Sequence, residues 1–347
     1  MTTIQELRIR RPDDWHLHVR DGSALDSAVP HTARCFGRAI IMPNLKPPIV
    51  SVEQAVAYRR RILDAVPKEM RFEPLMTIYL TDQTSPEEIK KAVDSGVVFG
   101  AKLYPAGATT HSDAGVTDIR HIYPTLQAMQ DLGLPLMIHG EATDPGVDVF
   151  DREAVFIEQV LAPLVERFHG LKVVLEHITT AQAVDFVRRA PDRVAATVTP
   201  QHILMNRNAL FQGGLRPHHY CLPVLKRETH RAAIMEALAQ GHPRFFLGTD
   251  SAPHPKGAKE SACGCAGIFS APAAIELYAE AFEQAGALDK LEGFASLFGP
   301  AFHGLPVNED FVTLRREPWT VPEAYPFADA TVVPMRAGGT LDWKLVI

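Results

Sequence analysis

Several metal-ligating residue types interrupt or end apolar runs in this chain. His16 and His18 sit in Trp15-His16-Leu17-His18-Val19, His139 ends Leu136-Met137-Ile138, and His177 follows Val173-Val174-Leu175-Glu176. Asp250 closes Phe245-Phe246-Leu247-Gly248-Thr249. Residues i and i+2 of a strand share a face. Both imidazoles of the His-x-His pair are therefore expected to face a common axis, with Trp15, Leu17 and Val19 on the opposite side. A lone His-x-His is more often an ordinary strand with two hydrogen-bonded histidines. The repetition at other strand ends favours a metal, because four imidazoles and a carboxylate suit Zn²⁺.

Lys102 lies within Val97-Val98-Phe99-Gly100-Ala101-Lys102-Leu103-Tyr104, where a charge is expensive. Apolar surroundings and nearby cations both disfavour an ammonium. A neutral amine that has taken up CO₂ becomes a carbamate, an anionic oxygen ligand. Alone, Lys102 reads as a snorkelling or paired lysine at a rim; beside the histidines and Asp250 the carbamate is favoured.

The elements that must position these groups recur in a simple order. Apolar runs at 14–19, 38–43, 72–80, 97–104, 134–139, 171–177, 194–199 and 245–249 read as strands. Amphipathic stretches at 51–66, 85–95, 119–132, 152–168, 180–189 and 227–240 read as helices. Ser51 and Thr84 or Ser85 are expected N-caps, and Gly133 and Gly170 expected helix stops. Continuous rather than alternating apolar runs indicate strands buried on both faces, hence a parallel sheet. Eight such units predict a TIM-like (β/α)8 barrel, whose chemistry lies at the C-terminal ends of its strands. An open doubly wound sheet is the alternative, but no GxGxxG follows the first strand. The expectation is one domain over 1–347, with about 305–347 a C-terminal packing appendage.

The formal net charge of -6 and the absence of a basic stretch argue against nucleic acid. The polar N-terminus has no apolar signal core, and no apolar run reaches the ~18 residues of a membrane span. Cys35, Cys221, Cys263 and Cys265 form no spaced framework, so free thiols in a reducing cytoplasm are expected. Cys263-Gly264-Cys265 reads as a loop rather than a zinc site. The remaining ten histidines, His218-His219 among them, read as surface or satisfied loop residues.

Taken together, Asp14-Trp15-His16-Leu17-His18-Val19-Arg20, Met42-Pro43-Asn44, Ala101-Lys102-Leu103-Tyr104-Pro105, Ile138-His139-Gly140-Glu141, Glu176-His177-Ile178 and Gly248-Thr249-Asp250-Ser251-Ala252-Pro253-His254 resemble the dihydroorotases of the amidohydrolase superfamily, in the single-domain bacterial and fungal class. The resemblance covers about 10–306. It implies two Zn²⁺ per subunit. One would take His16, His18, Asp250 and carbamylated Lys102, and the other Lys102, His139 and His177. It implies reversible cyclisation of N-carbamoyl-L-aspartate to L-dihydroorotate in pyrimidine biosynthesis, with a metal-activated hydroxide as nucleophile and Asp250 as general base and then acid. It also implies a homodimer.

The substrate would be small and anionic. Arg20, two residues past the histidine pair, offers a guanidinium fork for a carboxylate. By resemblance Arg20, Asn44 and His254 hold that carboxylate, and the main chain of Leu222 and Ala266 meets the pyrimidine edge. The stretch 105–115 is long for a βα loop, where ~2–6 residues is usual. It reads as a lid, with Gly107 and Gly115 as hinges and the Thr109 and Thr110 hydroxyls reaching the substrate. A mobile surface loop is its plainer reading. Two other functions compete: another cyclic amidohydrolase of hydantoinase or allantoinase type, and a non-catalytic scaffold relative. Arg20, Asn44 and His254 weigh against the first, and the intact ligand set against the second.

Overall fold

The computed structural model describes residues 4–346; residues 1–3 and 347, part of the expected single domain, lie outside the described residues. One strand, β1 (Glu6–Arg10), precedes eight that run parallel: β2 (Asp14–Leu17), β3 (Arg38–Ile41), β4 (Glu73–Tyr79), β5 (Val98–Leu103), β6 (Leu136–Ile138), β7 (Val173–Leu175), β8 (Val194–Val198) and β9 (Phe245–Leu247). These eight pair in chain order. The ends of the row also meet. Asp250 N donates to His16 O at 2.9 Å and His18 N to Ser251 O at 3.1 Å. The buried Asp14 carboxylate accepts from Thr249 N at 2.8 Å and Thr249 Oγ1 at 2.5 Å. The sheet is thus a (β/α)8 barrel. Strands β2, β3, β6, β7, β8 and β9 are buried at every position, as their unbroken apolarity requires.

Alternate strand residues separate into two packing layers. Ile40, Leu75, Met137, Val174, Ala195 and Phe246 fill the barrel interior. Leu17, Ile41, Met76, Ile138, Leu175 and Leu247 meet the helices. Trp15, expected on the helix side, packs with the interior set. The cause is a bulge. Asp14 pairs with Ala39 and Leu17 with Ile41, so Trp15 and His16 together oppose Ile40. An extra residue re-aims side chains locally, and strict alternation fails there. Trp15 then floors the barrel, stacked on His303 at 4.4 Å.

Ser51 caps the helix Val52–Asp64 in a capping box with Gln54, and Ser85 caps Pro86–Asp94. Gly133, at φ 74°, ends Tyr123–Leu132. Gly170 does not stop a helix: the segment ends at Arg167 with Phe168 as its cap, and the Gly170 amide bonds Gln130 Oε1 at 2.8 Å. Within the expected helix 152–168, a π turn at Ile157–Leu161 separates two α segments. The helices Leu25–Cys35 and Ala274–Gln284 lie at stretches not singled out in the sequence.

The C-terminal stretch is ordered by β1. Strands β10 (Phe311–Thr320) and β13 (Thr340–Val346) form an antiparallel sheet with it in the order β1-β10-β13, and β11 (Tyr325–Phe327) pairs with β12 (Ala330–Val332). Ile9, Leu314, Trp343 and Leu345 join the main hydrophobic core. No helix among the described residues is long and apolar enough to cross a membrane.

Candidate active site

The strand ends bring His16, His18 and Asp250 to one point. His16 Nε2 and His18 Nε2 lie 3.2 Å apart. Asp250 Oδ1 is 3.3 Å from the first and 3.1 Å from the second. Burial holds the His18 pKa down to about 4 in spite of Asp250. Burial also presses His177 well below the usual imidazole range, helped by His139 and Lys102, and its Nδ1 has no partner. Asp250 is buried, which alone would raise its pKa, yet hydrogen bonds from His16 and His18 keep it well below the carboxylate range. One side chain of the cluster, His16, is held cationic by the carboxylates around it, while His18 stays neutral and Asp250 ionised. Such a cluster fits a shared cation, and its nitrogen and oxygen donors suit zinc.

His139 and Lys102 stand on the next wall. The His139 and His177 rings are 4.8 Å apart, and His139 Nε2 is 2.7 Å from Glu141 Oε2. Among the described residues, His16, Glu176 and His177 form a second potential ligand group. His139 is outside it, while Lys102 reaches it through its contact with Glu176, so of the two expected ligand sets His16, His18 and Asp250 have the converged donor atoms.

Glu176 was missed by sequence reasoning beyond its place in the motif. It is fully buried, with Oε1 2.9 Å from His16 Nδ1, and Oε2 accepts from Lys102 Nζ. Burial would lower the His16 pKa, but the Glu176 charge together with the contacts to Asp250 and Glu176 raises it to about 9. Burial lowers the Lys102 pKa, partly offset by Glu176. A carboxylate beside Nδ1 is the usual neighbour of a histidine whose Nε2 serves a metal. The signal was available: Glu176 is a charge in an apolar run, as Lys102 is.

Arg20 rises from the same strand with φ 62°. Its Nε donates to Pro253 O at 2.8 Å, and one Nη lies 2.9 Å from His254 Nε2. His254 Nε2 is also 3.0 Å from Ala266 O. One ring nitrogen cannot accept from arginine and donate to a carbonyl at once. Burial holds the His254 pKa down at about 2, so the ring is neutral. The two expected site residues Arg20 and His254 therefore sit in direct contact.

The loop after β5 lies over this cleft. Thr109 and Thr110 line the same cavity as His16, Asp250, Arg20 and Asn44, as do Leu222 and Ala266. Asn44 Nδ2 donates to Thr110 O at 3.2 Å. The legs of the loop are zipped by Ala106 N to Val116 O at 3.0 Å and Val116 N to Tyr104 O at 2.9 Å. Gly107 has φ 80°, as a hinge glycine would. Gly115 is required for a different reason than expected: a Cβ there would lie 2.3 Å from Tyr104 O.

Cys263 and Cys265 are free thiols at the surface, and Cys35 and Cys221 are buried free thiols. His218 pairs with Glu260 at 3.0 Å and His219 with Ala209 O at 2.8 Å, away from the cluster. His202 is satisfied, though buried on the helix Pro200–Leu204 rather than in a loop: it sits between Thr199 Oγ1 at 2.7 Å and Pro223 O at 2.9 Å.

A closed parallel barrel with histidines and a carboxylate at its strand ends defines a metal-dependent hydrolase barrel. Residues 13–308 match the amidohydrolase family. The chain is 65% identical to the dihydroorotase of Nitrosomonas europaea over 345 residues, 99% of each chain. Its fold is similar to the crystal structure of dihydroorotase from Campylobacter jejuni, with a TM-score of 0.91, 37% identity and coverage of 100% of this chain and 99% of that one. It is equally similar to the Saccharomyces cerevisiae dihydroorotase in complex with 5-fluoroorotic acid, with a TM-score of 0.91, 32% identity and 99% coverage of both. The chain belongs to the amidohydrolase family and, within it, to the dihydroorotases.

Proposed function

We propose that this chain is a zinc-dependent dihydroorotase that interconverts N-carbamoyl-L-aspartate and L-dihydroorotate in pyrimidine biosynthesis. The observation that carries the reading is that one cavity is lined both by the cluster of His16, His18 and Asp250 and by Arg20 and Asn44. Two zinc ions held by His16, His18, His139, His177, Asp250 and a carbamylated Lys102 would supply an acidified water and a polarised ring carbonyl.

The chain's own groups do the rest. Carbamylation of Lys102 joins its amine nitrogen to the carbon of CO₂ and releases a proton, which needs the neutral amine that burial favours. Arg20, Asn44 and His254 bind the exocyclic carboxylate, the guanidinium supplying most of the charge. The main chain at Leu222 and Ala266 meets the ring edge. Asp250 accepts the proton of the attacking water and passes it to the ring nitrogen as the amide bond breaks. Thr109 and Thr110 close over the ring and keep bulk water out. In the synthetic direction a proton is consumed as water leaves, so lower pH favours the ring. The likeness to dihydroorotases also supports a homodimer working in the cytoplasm.

The test is ring opening of L-dihydroorotate by the purified protein, followed by ultraviolet absorbance, with hydantoin and allantoin as competing substrates. Turnover of dihydroorotate with little of the other two is expected. Preference for hydantoin or allantoin would overturn the assignment of Arg20, Asn44 and His254.

A further inference from the structure

Lys259 ends a short helix, Lys256–Lys259, in the loop after β9. It is 3% exposed. Its Nζ donates to the main-chain carbonyls of Tyr220, Cys265 and Gly267, each at 2.8 Å. An ammonium has three N–H donors, and all three are used. Burial draws its pKa down to about 8, still on the charged side of neutrality. The carbonyls come from two stretches distant in sequence, and Gly267 N also donates to Tyr220 O at 3.0 Å.

Both stretches reach the active-site cavity, which Leu222 and Ala266 line. Neither the Leu222 nor the Ala266 amide donates a hydrogen bond within the chain among the described residues. In a trans peptide the C=O and the following N–H point to opposite sides. With Cys265 O turned to Lys259, the Ala266 N–H points away from the ammonium. The loop does not adopt this path without constraint. Gly264 has φ 71° and Cys265 φ 30°, and a Cβ at Gly267 would lie 2.5 Å from Ala252 O.

We propose that Lys259 is a positioning residue: its ammonium holds residues 220–222 and 265–267 so that the free amides of Leu222 and Ala266 meet the carbonyl edge of the substrate ring. This rests on the placing of that edge in the proposed function. Lys259 touches no substrate. It acts on the Ala266 amide through the Cys265 carbonyl of the same peptide unit, whose N–H donor the positive charge strengthens, and on the Leu222 amide by fixing the Tyr220 carbonyl just before it.

The experiment compares Lys259→Met and Lys259→Gln in the zinc-loaded enzyme, measuring KM and kcat for L-dihydroorotate, zinc content and Tm. The Met variant keeps the stem and removes all donors; the Gln variant keeps N–H donors without the charge. Lys259→Met is expected to raise KM at least about tenfold at unchanged zinc content, with Lys259→Gln in between. If Lys259→Met yields no folded protein, Lys259→Gln decides, a rise in KM beyond about twofold supporting the proposal. Folded, metal-loaded variants with KM within about twofold of the parent, even at a lower Tm, would make Lys259 a structural tie and overturn the proposal. Arg20→Lys, run alongside, separates the two readings. If it too leaves KM unmoved, the substrate-site reading has failed; if it alone raises KM, only the role of Lys259 has.

Discussion

Arg20, His177 and Asp250 share a backbone conformation that residues with side chains avoid, at φ 62°, 44° and 45°. Each such residue costs ~1–3 kcal/mol and persists only where its surroundings over-determine it. The restraints are visible. Tyr58 OH donates to Arg20 O, His177 N donates to Thr197 Oγ1 at 2.8 Å, and Asp250 N closes the barrel on His16 O. The strain turns three side chains inward at the ends of their strands. At this scale the proton transfer and the carboxylate contact separate experimentally. Asp250→Asn is expected to keep the fold and lower kcat by about 10²- to 10⁴-fold, because an amide cannot shuttle the proton. Arg20→Lys is expected to raise KM about 10- to 100-fold with a smaller effect on kcat, through loss of the paired N–H fork. Steady-state kinetics on both variants check this. A silent Arg20→Lys would place the carboxylate elsewhere.

At the scale of elements, the loop over residues 105–116 is the proposed lid. Its tip, at Thr109 and Thr110, already faces the cluster, and its base is tied by paired main-chain bonds. Replacing both hydroxyls, Thr109→Val with Thr110→Val, is expected to lower kcat and raise KM while zinc content stays normal. Hydrogen exchange of the loop is expected to slow when orotate binds. Unchanged kinetics with no such protection would reduce the loop to a connector. Elements were also where the sequence was most legible. Strands buried on both faces are written as apolar runs, and Ser51, Ser85 and Gly133 mark helix ends by local chemistry. What depends on distant partners was not. The bulge that turns Trp15 inward is set by pairing with β3, and the pairing of β1 with β10 joins residues about three hundred positions apart. The site was legible as a set of ligand types, but the left-handed conformations that aim Arg20, His177 and Asp250 leave no mark in composition. Glu176 was readable as a buried charge.

For the whole molecule, closure of the barrel and assembly of the site are one event. The hydrogen bonds joining β2 to the segment after β9 run through Asp14, His16, His18, Thr249, Asp250 and Ser251, so the seam of the barrel is also the wall of the metal cluster. The sheet β1-β10-β13 packs its own apolar face into the main core and joins Glu6–Arg10 to strands from the C-terminal stretch. Such a frame holds His16 Nε2, His18 Nε2 and Asp250 Oδ1 within 3.3 Å of one another. The most direct measurement is a zinc titration of chelator-stripped protein, in bicarbonate, following dihydroorotate ring opening against bound zinc. The account predicts no activity in the stripped protein and full activity only at about two zinc ions per chain. Full turnover by the stripped protein, or a plateau with the metal bound away from His16, His18 and Asp250, would contradict it.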